Sequence, residues 1–371
     1  MRVSLPKEIK DNEFRVAITP AGVHELVARG HEVMVEHDAG AGSAISDAEF
    51  KAAGAQILTD PAEVWASAEL LLKVKEPVEA EYGYQRPDLT LFTYLHLAAS
   101  RPCTDALLAG GTTAIAYETV RTADGRLPLL APMSEIAGRL APQAGAYHLM
   151  RNAGGRGVLM GGVPGAPGAD VVVLGAGVAG RNAVAIAAGM AAQVTVLDIN
   201  VDKLRAIDDR YAGRVRTVYS TTLAVRAALE QADLVIGAVL VPGAKAPTLV
   251  GSDLVERMRP GAVLVDIAID QGGCFADSRP TTHADPTYRV HDTVFYCVAN
   301  MPGAVPHTST RALTNATLPY VLHLADGGWR DALAADPALV HGLNAHRGEL
   351  YSAEVAAAHG LPHTEIAMPV S

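Results

Sequence analysis

The run Gly175-Ala176-Gly177-Val178-Ala179-Gly180 is the part of this chain whose residue types imply chemistry most directly. It follows the apolar stretch VVVL and opens a segment of small residues, so it reads as a turn between a strand and a helix. Glycines at this spacing allow a tight turn, close approach of the backbone to a pyrophosphate, and close packing of helix on strand. The helix N-terminus adds N–H donors and partial positive charge. Asp198 ends the next apolar stretch, VTVL, where a carboxylate can accept the ribose hydroxyls of a bound dinucleotide. A carboxylate there repels a 2′-phosphate, which favours NAD over NADP. The plainer reading is that Asp198 caps a turn.

Four further positions carry side chains that could act on a substrate. Arg15 lies in NEFRVAITP and, by spacing alone, reads as an ordinary surface arginine. Lys73 and Lys75 alternate on one face of the mostly apolar LLLKVKEP, where either could stand at the mouth of a buried strand. His96 ends LTLFTYLH, and Asp270 ends DIAID. An isolated histidine is commonly structural and an aspartate often caps a turn. The C-terminal ends of strands, however, are where open α/β sheets bind ligands. HExxH is absent from the thirteen histidines, and no metal site is expected.

These residues need a scaffold, and the alternation of apolar runs with helical signals supplies one. Runs at 3–5, 31–36, 70–75, 89–96 and 115–117 read as strands. Thr19-Pro20 reads as a helix start and Gly30 as its end. Ser134 is expected to cap a long helix running toward Arg151, with Pro142 kinking it. The Gly- and Pro-rich segment 154–168 reads as a loop. VVVLG, VTVLD, LVIGAVL, AVLVDIAI and FYCVAN then form a second strand set ending near Asn300. The remainder has helical signals, as at 313–325, but few strands. It is expected to return to the first domain.

Bulk composition narrows the function classes. With 371 residues and 49% hydrophobic content, two domains with sizeable cores are expected. A net charge of −10 argues against nucleic acid or an anionic membrane surface as partner, and means an anionic substrate must find local cations. Cys103, Cys274 and Cys297 are odd in number and widely spaced, which suits reduced thiols in a cytoplasmic protein. The apolar stretch 171–197 is interrupted by Arg181, Asn182 and Gln193, so it suits strand–helix–strand better than a membrane span.

Taken together the chain resembles the L-alanine dehydrogenases, part of the alanine dehydrogenase/transhydrogenase α-subunit family. The resemblance runs nearly end to end through NEFRVAITP, GSAISDAEF, LLKVKEP, YLHLAAS, APMSEIAGRLA, VLGAGVAG, VDIAIDQGGC, SRPTTH, VANMPGAVP and TNATLPY. Saccharopine-forming lysine dehydrogenases and the transhydrogenase α subunit share parts such as RVAITP. The resemblance implies two Rossmann-like α/β domains with parallel sheets flanked by helices and an active site in the cleft between them. Residues 1–128 plus 307–371 would form a discontinuous catalytic domain, and 129–306 the NAD-binding domain. It implies reversible oxidative deamination of L-alanine to pyruvate and ammonium, with NAD as cofactor, in a homohexamer. Arg15 and Lys75 would bind substrate, and His96 and Asp270 would be catalytic. Cofactor contacts would come from Gly175, Gly177, Val178, Ala179, Gly180, Ser134, Arg279, Asp198, Lys203 and Ser220. Val239, Leu240, Ile267, Val298, Asn300 and Met301 would lie toward the nicotinamide. The remaining alternatives are the nucleotide-binding part of a membrane-coupled transhydrogenase and a non-catalytic NAD-binding module.

Overall fold

Short apolar runs separated by helices build the first sheet. In the computed structural model, which describes residues 1–239 and 246–366, they are β1 (Arg2–Leu5), β2 (Glu32–Glu36), β3 (Gln56–Leu58), β4 (Leu70–Leu72), β5 (Thr90–Thr93) and β6 (Thr113–Ala116). All six pair in parallel. β4 and β6 are buried along their whole length, as strands covered on both faces must be. The expected strands at 70–75 and 89–96 stop earlier, so Lys75 and His96 lie beyond the strand ends. Helix Pro20–Ala28 does start behind Thr19, but the threonine side chain makes no capping bond. Pro20, with its fixed φ, sets the start instead.

The second sheet contains β7 (Asp170–Leu174), β8 (Gln193–Asp198), β9 (Val215–Tyr219), β10 (Leu234–Gly237), β11 (Val263–Asp266), β12 (Thr287–Val290) and β13 (Thr293–Tyr296). Their order is β12-β13-β11-β10-β7-β8-β9. The direction of winding reverses between β7 and β10, the place where such sheets bind nucleotides. Val171 and Val173 of β7 belong to one apolar core and Val172 and Leu174 to another, so the period of two fills both faces. β9 and β12 carry no sustained apolar pattern because they are half-exposed edge strands. Five strands were expected here and seven form.

The long helix of this region begins at Ala131, so Ser134 lies within its first turn and is not its cap. Pro132 explains the early start, since the first turn needs no proline N–H. The helix continues through Pro142 to His148. A Cβ on its Gly138 would collide with the carbonyl oxygen of Ala179, so the helix lies directly against the glycine-rich turn.

After Ala304 the chain re-enters the first sheet. Helix Pro306–Ala335, interrupted by non-helical backbone at Gly328, leads to β14 (Leu343–His346) and β15 (Glu349–Leu350). β14 pairs antiparallel with β6 and β15 antiparallel with β14, giving the order β15-β14-β6-β5-β4-β1-β2-β3. Both sheets are mostly parallel, as expected; among the described residues, antiparallel strands lie at one edge of each, β14 and β15 in the first and β12 in the second. By compactness the chain divides into Met1–Met133 with Val305–Ser371, and Ser134–Ala304. No helix among the described residues is long and apolar enough to cross a membrane. All three cysteines are buried and unpaired.

Candidate active site

Charged side chains gather at the C-terminal ends of the central strands of the first unit, and buried glutamates hold them. Arg15 is 2% exposed, which overturns its reading as a surface arginine. Its Nε and Nη2 donate to Glu13 Oε1 and Oε2 at 2.6 and 2.5 Å, and Nη1 meets Met133 Sδ at 3.0 Å. One edge of the guanidinium is thus already engaged by Glu13. Burial alone would lower the proton affinity of Arg15; the Glu13 carboxylate more than reverses this.

The two lysines of LLLKVKEP separate cleanly. Lys73 Nζ lies 2.8 Å from Glu81 Oε1 and 3.2 Å from Glu8 Oε2, so its charge is neutralised inside the unit. Burial opposes that charge, but the two carboxylates raise its pKa above the ordinary lysine value. Lys75 is 8% exposed, yet its ammonium makes no ion pair among the described residues. Its backbone N–H points to Glu8 Oε1 at 3.4 Å, beside a 2.6 Å bond from Val74 to the same atom.

His96 follows β5 and takes a left-handed backbone, φ 46° and ψ 38°, uncommon for a residue with a Cβ. Its backbone N–H donates to Glu118 Oε1 at 2.6 Å. Tyr94 stacks on the imidazole at 5.9 Å and donates its hydroxyl to the Leu129 carbonyl at 2.6 Å. Desolvation first, then the positive charges of Lys75, Lys10 and Arg15, push the imidazole far below its usual 6.5, to about 3. With 35% of the side chain open to solvent, water screens part of that displacement. Its direction, toward a neutral imidazole, follows from desolvation and is reinforced by the three cations.

The second unit builds its site mainly from backbone. Gly175 has φ 101°, closed to most side chains. A Cβ on Gly180 would fall on the Gly175 carbonyl oxygen, whereas one on Gly177 would meet nothing within 4 Å. The turn is therefore tight underneath and open above, which fits a pyrophosphate laid on the helix that begins at Val178. Val178 and Ala179 form the first turn of that helix. Asp198 Oδ2 accepts the Ala176 N–H at 2.6 Å, and Oδ1 accepts the Asn200 N–H at 2.8 Å. It thus ties the glycine turn to the end of β8. Ser220 joins the same edge by donating its N–H to the Asp198 carbonyl at 3.1 Å, and Lys203 is exposed on the next helix.

The other expected contacts lie around the same sheet. Asp270 does not end a strand; it is exposed on a short 3₁₀ helix, Ile267–Gln271, that follows β11. That helix is anchored by buried Asp266, which accepts N–H bonds from Ala268 and Cys274 at 3.0 and 2.9 Å and the Ser278 hydroxyl at 2.5 Å. Half-buried Val239 follows β10; Leu240 lies outside the described residues. Arg279 is exposed, with its guanidinium 4.0 Å from the centre of the Tyr288 ring. Val298 and Met301 are buried and Asn300 takes φ 62°.

Glu8, Glu13, Glu118 and Asp266, the carboxylates that hold these segments, were not singled out from sequence. Only Glu13, two residues before Arg15, left a local trace. Among the described residues, His37, Asp38 and Asp47 come close enough to share a cation, although no metal site was expected. The imidazole already occupies that cluster, with Nδ1 2.6 Å from Asp47 and Nε2 3.3 Å from Asp38. His359 and His363 have HxxxH spacing, but the helix ends at His359, whose Nε2 meets the Leu97 carbonyl at 2.7 Å.

Comparison with known proteins agrees with this architecture. The family described as alanine dehydrogenase/PNT matches through its N-terminal domain at residues 4–137 and its C-terminal domain at 141–353. An alanine dehydrogenase of Mycolicibacterium smegmatis is 67% identical, with 99% of each chain covered. One from Halomonas elongata is 56% identical over the same shares. A solved L-alanine dehydrogenase superposes with TM-score 0.93 at 50% identity, covering 97% of this chain and 99% of that one. A transhydrogenase from Sinorhizobium meliloti shares the fold, with TM-score 0.78 at 24% identity over 94% and 98% of the two chains. Dinucleotide turn, charged strand ends and full-length similarity agree: the chain is an oxidoreductase that belongs to the alanine dehydrogenase/PNT family.

Proposed function

We propose that this protein catalyses the reversible conversion of L-alanine, NAD⁺ and water to pyruvate, ammonium, NADH and a proton. The observation that carries the reading is the Lys75 ammonium, nearly buried and without an ion-pair partner among the described residues. A desolvated charge left unpaired is costly, and an anionic ligand relieves that cost. In a chain of net charge −10, Lys75, Lys10 and Arg15 form a local cationic field around a neutral imidazole.

Roles follow from the chemistry of each group. Arg15 and Lys75 bind the substrate carboxylate and carbonyl oxygen, and Lys75 stabilises charge that builds on that oxygen. A bound carboxylate offsets the cationic field and raises the proton affinity of His96, which then exchanges protons with the reacting nitrogen and water. Asp270 assists that transfer. A bound dinucleotide would supply the hydride acceptor for the substrate Cα. Gly175, Gly177, Val178, Ala179, Gly180, Ser134 and Arg279 hold its phosphates, and Asp198, Lys203 and Ser220 its adenosine end. Val239, Ile267, Val298, Asn300 and Met301 would line the nicotinamide end. In this reading the segments at the two chain ends form the catalytic domain and the middle segment the NAD-binding domain. The protein is a cytoplasmic homohexamer, which light scattering on the purified protein checks.

The deciding assay is NADH oxidation with ammonium and a panel of 2-oxo acids, run in parallel with NADPH. Pyruvate with NADH is the expected pair. Absence of ammonium-dependent oxidation would remove the dehydrogenase reading, and comparable rates with NADPH would remove the NAD assignment.

A further inference from the structure

His96 holds a backbone conformation that its own residue type disfavours, with φ 46°. A carboxylate 22 residues downstream supports it. Glu118 stands on the short turn Tyr117–Thr119 just after β6, the parallel neighbour of β5. Its Oε1 accepts the His96 N–H at 2.6 Å, and both oxygens accept the Leu95 N–H at 3.2 Å. The side chain is only 13% exposed, and Oε1 also lies 3.9 Å from His96 Nδ1. One carboxylate therefore bridges the ends of two adjacent strands and stands beside the imidazole. A simple turn cap would need only the first of these features.

We propose that Glu118 is a positioning residue of the reaction: its carboxylate holds His96 in the left-handed conformation and places a negative charge beside the imidazole. The inference rests on the acid–base role assigned to His96. The groups facing the imidazole are Lys75 beyond β4, Lys10 and Arg15 on the segment after β1, Tyr94 below the ring, and Glu118. Lys10 is itself paired with Glu76 and Arg15 with Glu13, whereas among the described residues Glu118 is the carboxylate that comes within 4 Å of a ring nitrogen, so in its ionised form it opposes the field that disfavours the imidazolium. Burial raises its own pKa, while the N–H groups of His96 and Leu95 and the charge of Lys75 favour the ionised form. Pyruvate amination needs His96 to arrive protonated, and a nearby negative charge extends that state to higher pH.

The test uses the full-length protein with Glu118→Gln and Glu118→Asp, alongside wild type and His96→Ala. Steady-state pyruvate amination is measured across pH at saturating NADH and ammonium. Glutamine keeps the shape and one acceptor but loses the charge. Its kcat is expected to fall about tenfold or more with pyruvate KM within about twofold, and the basic limb of the profile to move about one unit lower. Aspartate keeps the charge but shortens the reach, so kcat falls while the limb stays nearer that of wild type. A Glu118→Gln protein with wild-type kcat and an unmoved limb overturns the proposal. If that variant does not melt cooperatively, Glu118→Asp decides, and an unchanged kcat there overturns it. His96→Ala separates the two levels. If it turns over normally, the role of His96 itself has failed; if it is inactive while Glu118→Gln is normal, only the Glu118 assignment has.

Discussion

The two units build their sites from different materials. In Ser134–Ala304 the cradle is backbone: a turn with Gly175 at φ 101°, a helix start, and one carboxylate, Asp198, that fastens the turn. In Met1–Met133 it is side chains: Glu13, two residues away, grips the Arg15 guanidinium, while Glu8 and Glu118, from other segments, accept the backbone N–H groups of Lys75 and His96. A backbone site is written in local spacing. A side-chain site is written in contacts between distant segments, and there the charge balance, more than the spacing, distinguishes a functional residue from a structural one.

The largest test of this contrast is His96→Ala. Its turnover should fall about 10²–10⁴-fold, the usual contribution of a general acid–base group, while NADH affinity measured by fluorescence titration stays close to wild type. Near-normal turnover would reduce His96 to a structural residue.

The lysine pair offers a sharper comparison, because two neighbours should fail in opposite ways. Lys73→Met strands the Glu8 and Glu81 carboxylates, so stability should drop by about 3–5 kcal/mol. Lys75→Met removes a charge that has no ion-pair partner among the described residues, so the melting temperature should hold or rise while kcat for pyruvate amination falls at least tenfold. Denaturant melts and steady-state kinetics on both variants read the difference. Equal loss of stability in the two would erase the distinction.

On the backbone side, Gly180→Ala forces a Cβ onto the Gly175 carbonyl oxygen and should weaken NADH binding before it affects pyruvate binding. If NADH binds the alanine variant as tightly as wild type, the turn tolerates what its geometry forbids. The smallest effect expected is Asp198→Ala. It removes the repulsion of a 2′-phosphate and should narrow the gap between NADH and NADPH several-fold. It also frees the Ala176 and Asn200 N–H groups, so some loss of NADH affinity accompanies the change. A gap that stays as wide places the discrimination elsewhere.

How much was legible in the sequence follows the same division. The glycine turn, Asp198 and the strands around them could be read because their constraints act within one strand–turn–helix unit. β9 and β12 escaped because edge strands need no apolar alternation. Ser134 was misplaced as a cap because Pro132 had already started the helix. Arg15 looked like a surface residue because nothing near it in sequence, apart from Glu13, announces a buried fork. His96 was assigned to a strand end, whereas it sits in a left-handed turn fixed by Glu118, whose surroundings in AIAYET carry no motif. Lys73 and Lys75 could not be told apart until Glu8 and Glu81 came into view.

The pairing of β14 with β6 has a consequence for how the chain is made. On the ribosome, β6 emerges early, and its outer edge stays without its antiparallel partner until residue 343 has been synthesised. The second sheet, by contrast, lies within one continuous stretch that is complete by Ala304. The middle of the chain should therefore fold first, while its older N-terminal part waits with an open strand edge, a surface prone to pairing with other chains. Nascent chains stalled after residue 304 should accordingly resist protease in the middle segment and be cut in the N-terminal one. Protection of both at that length would show that the early strands settle without their late partner.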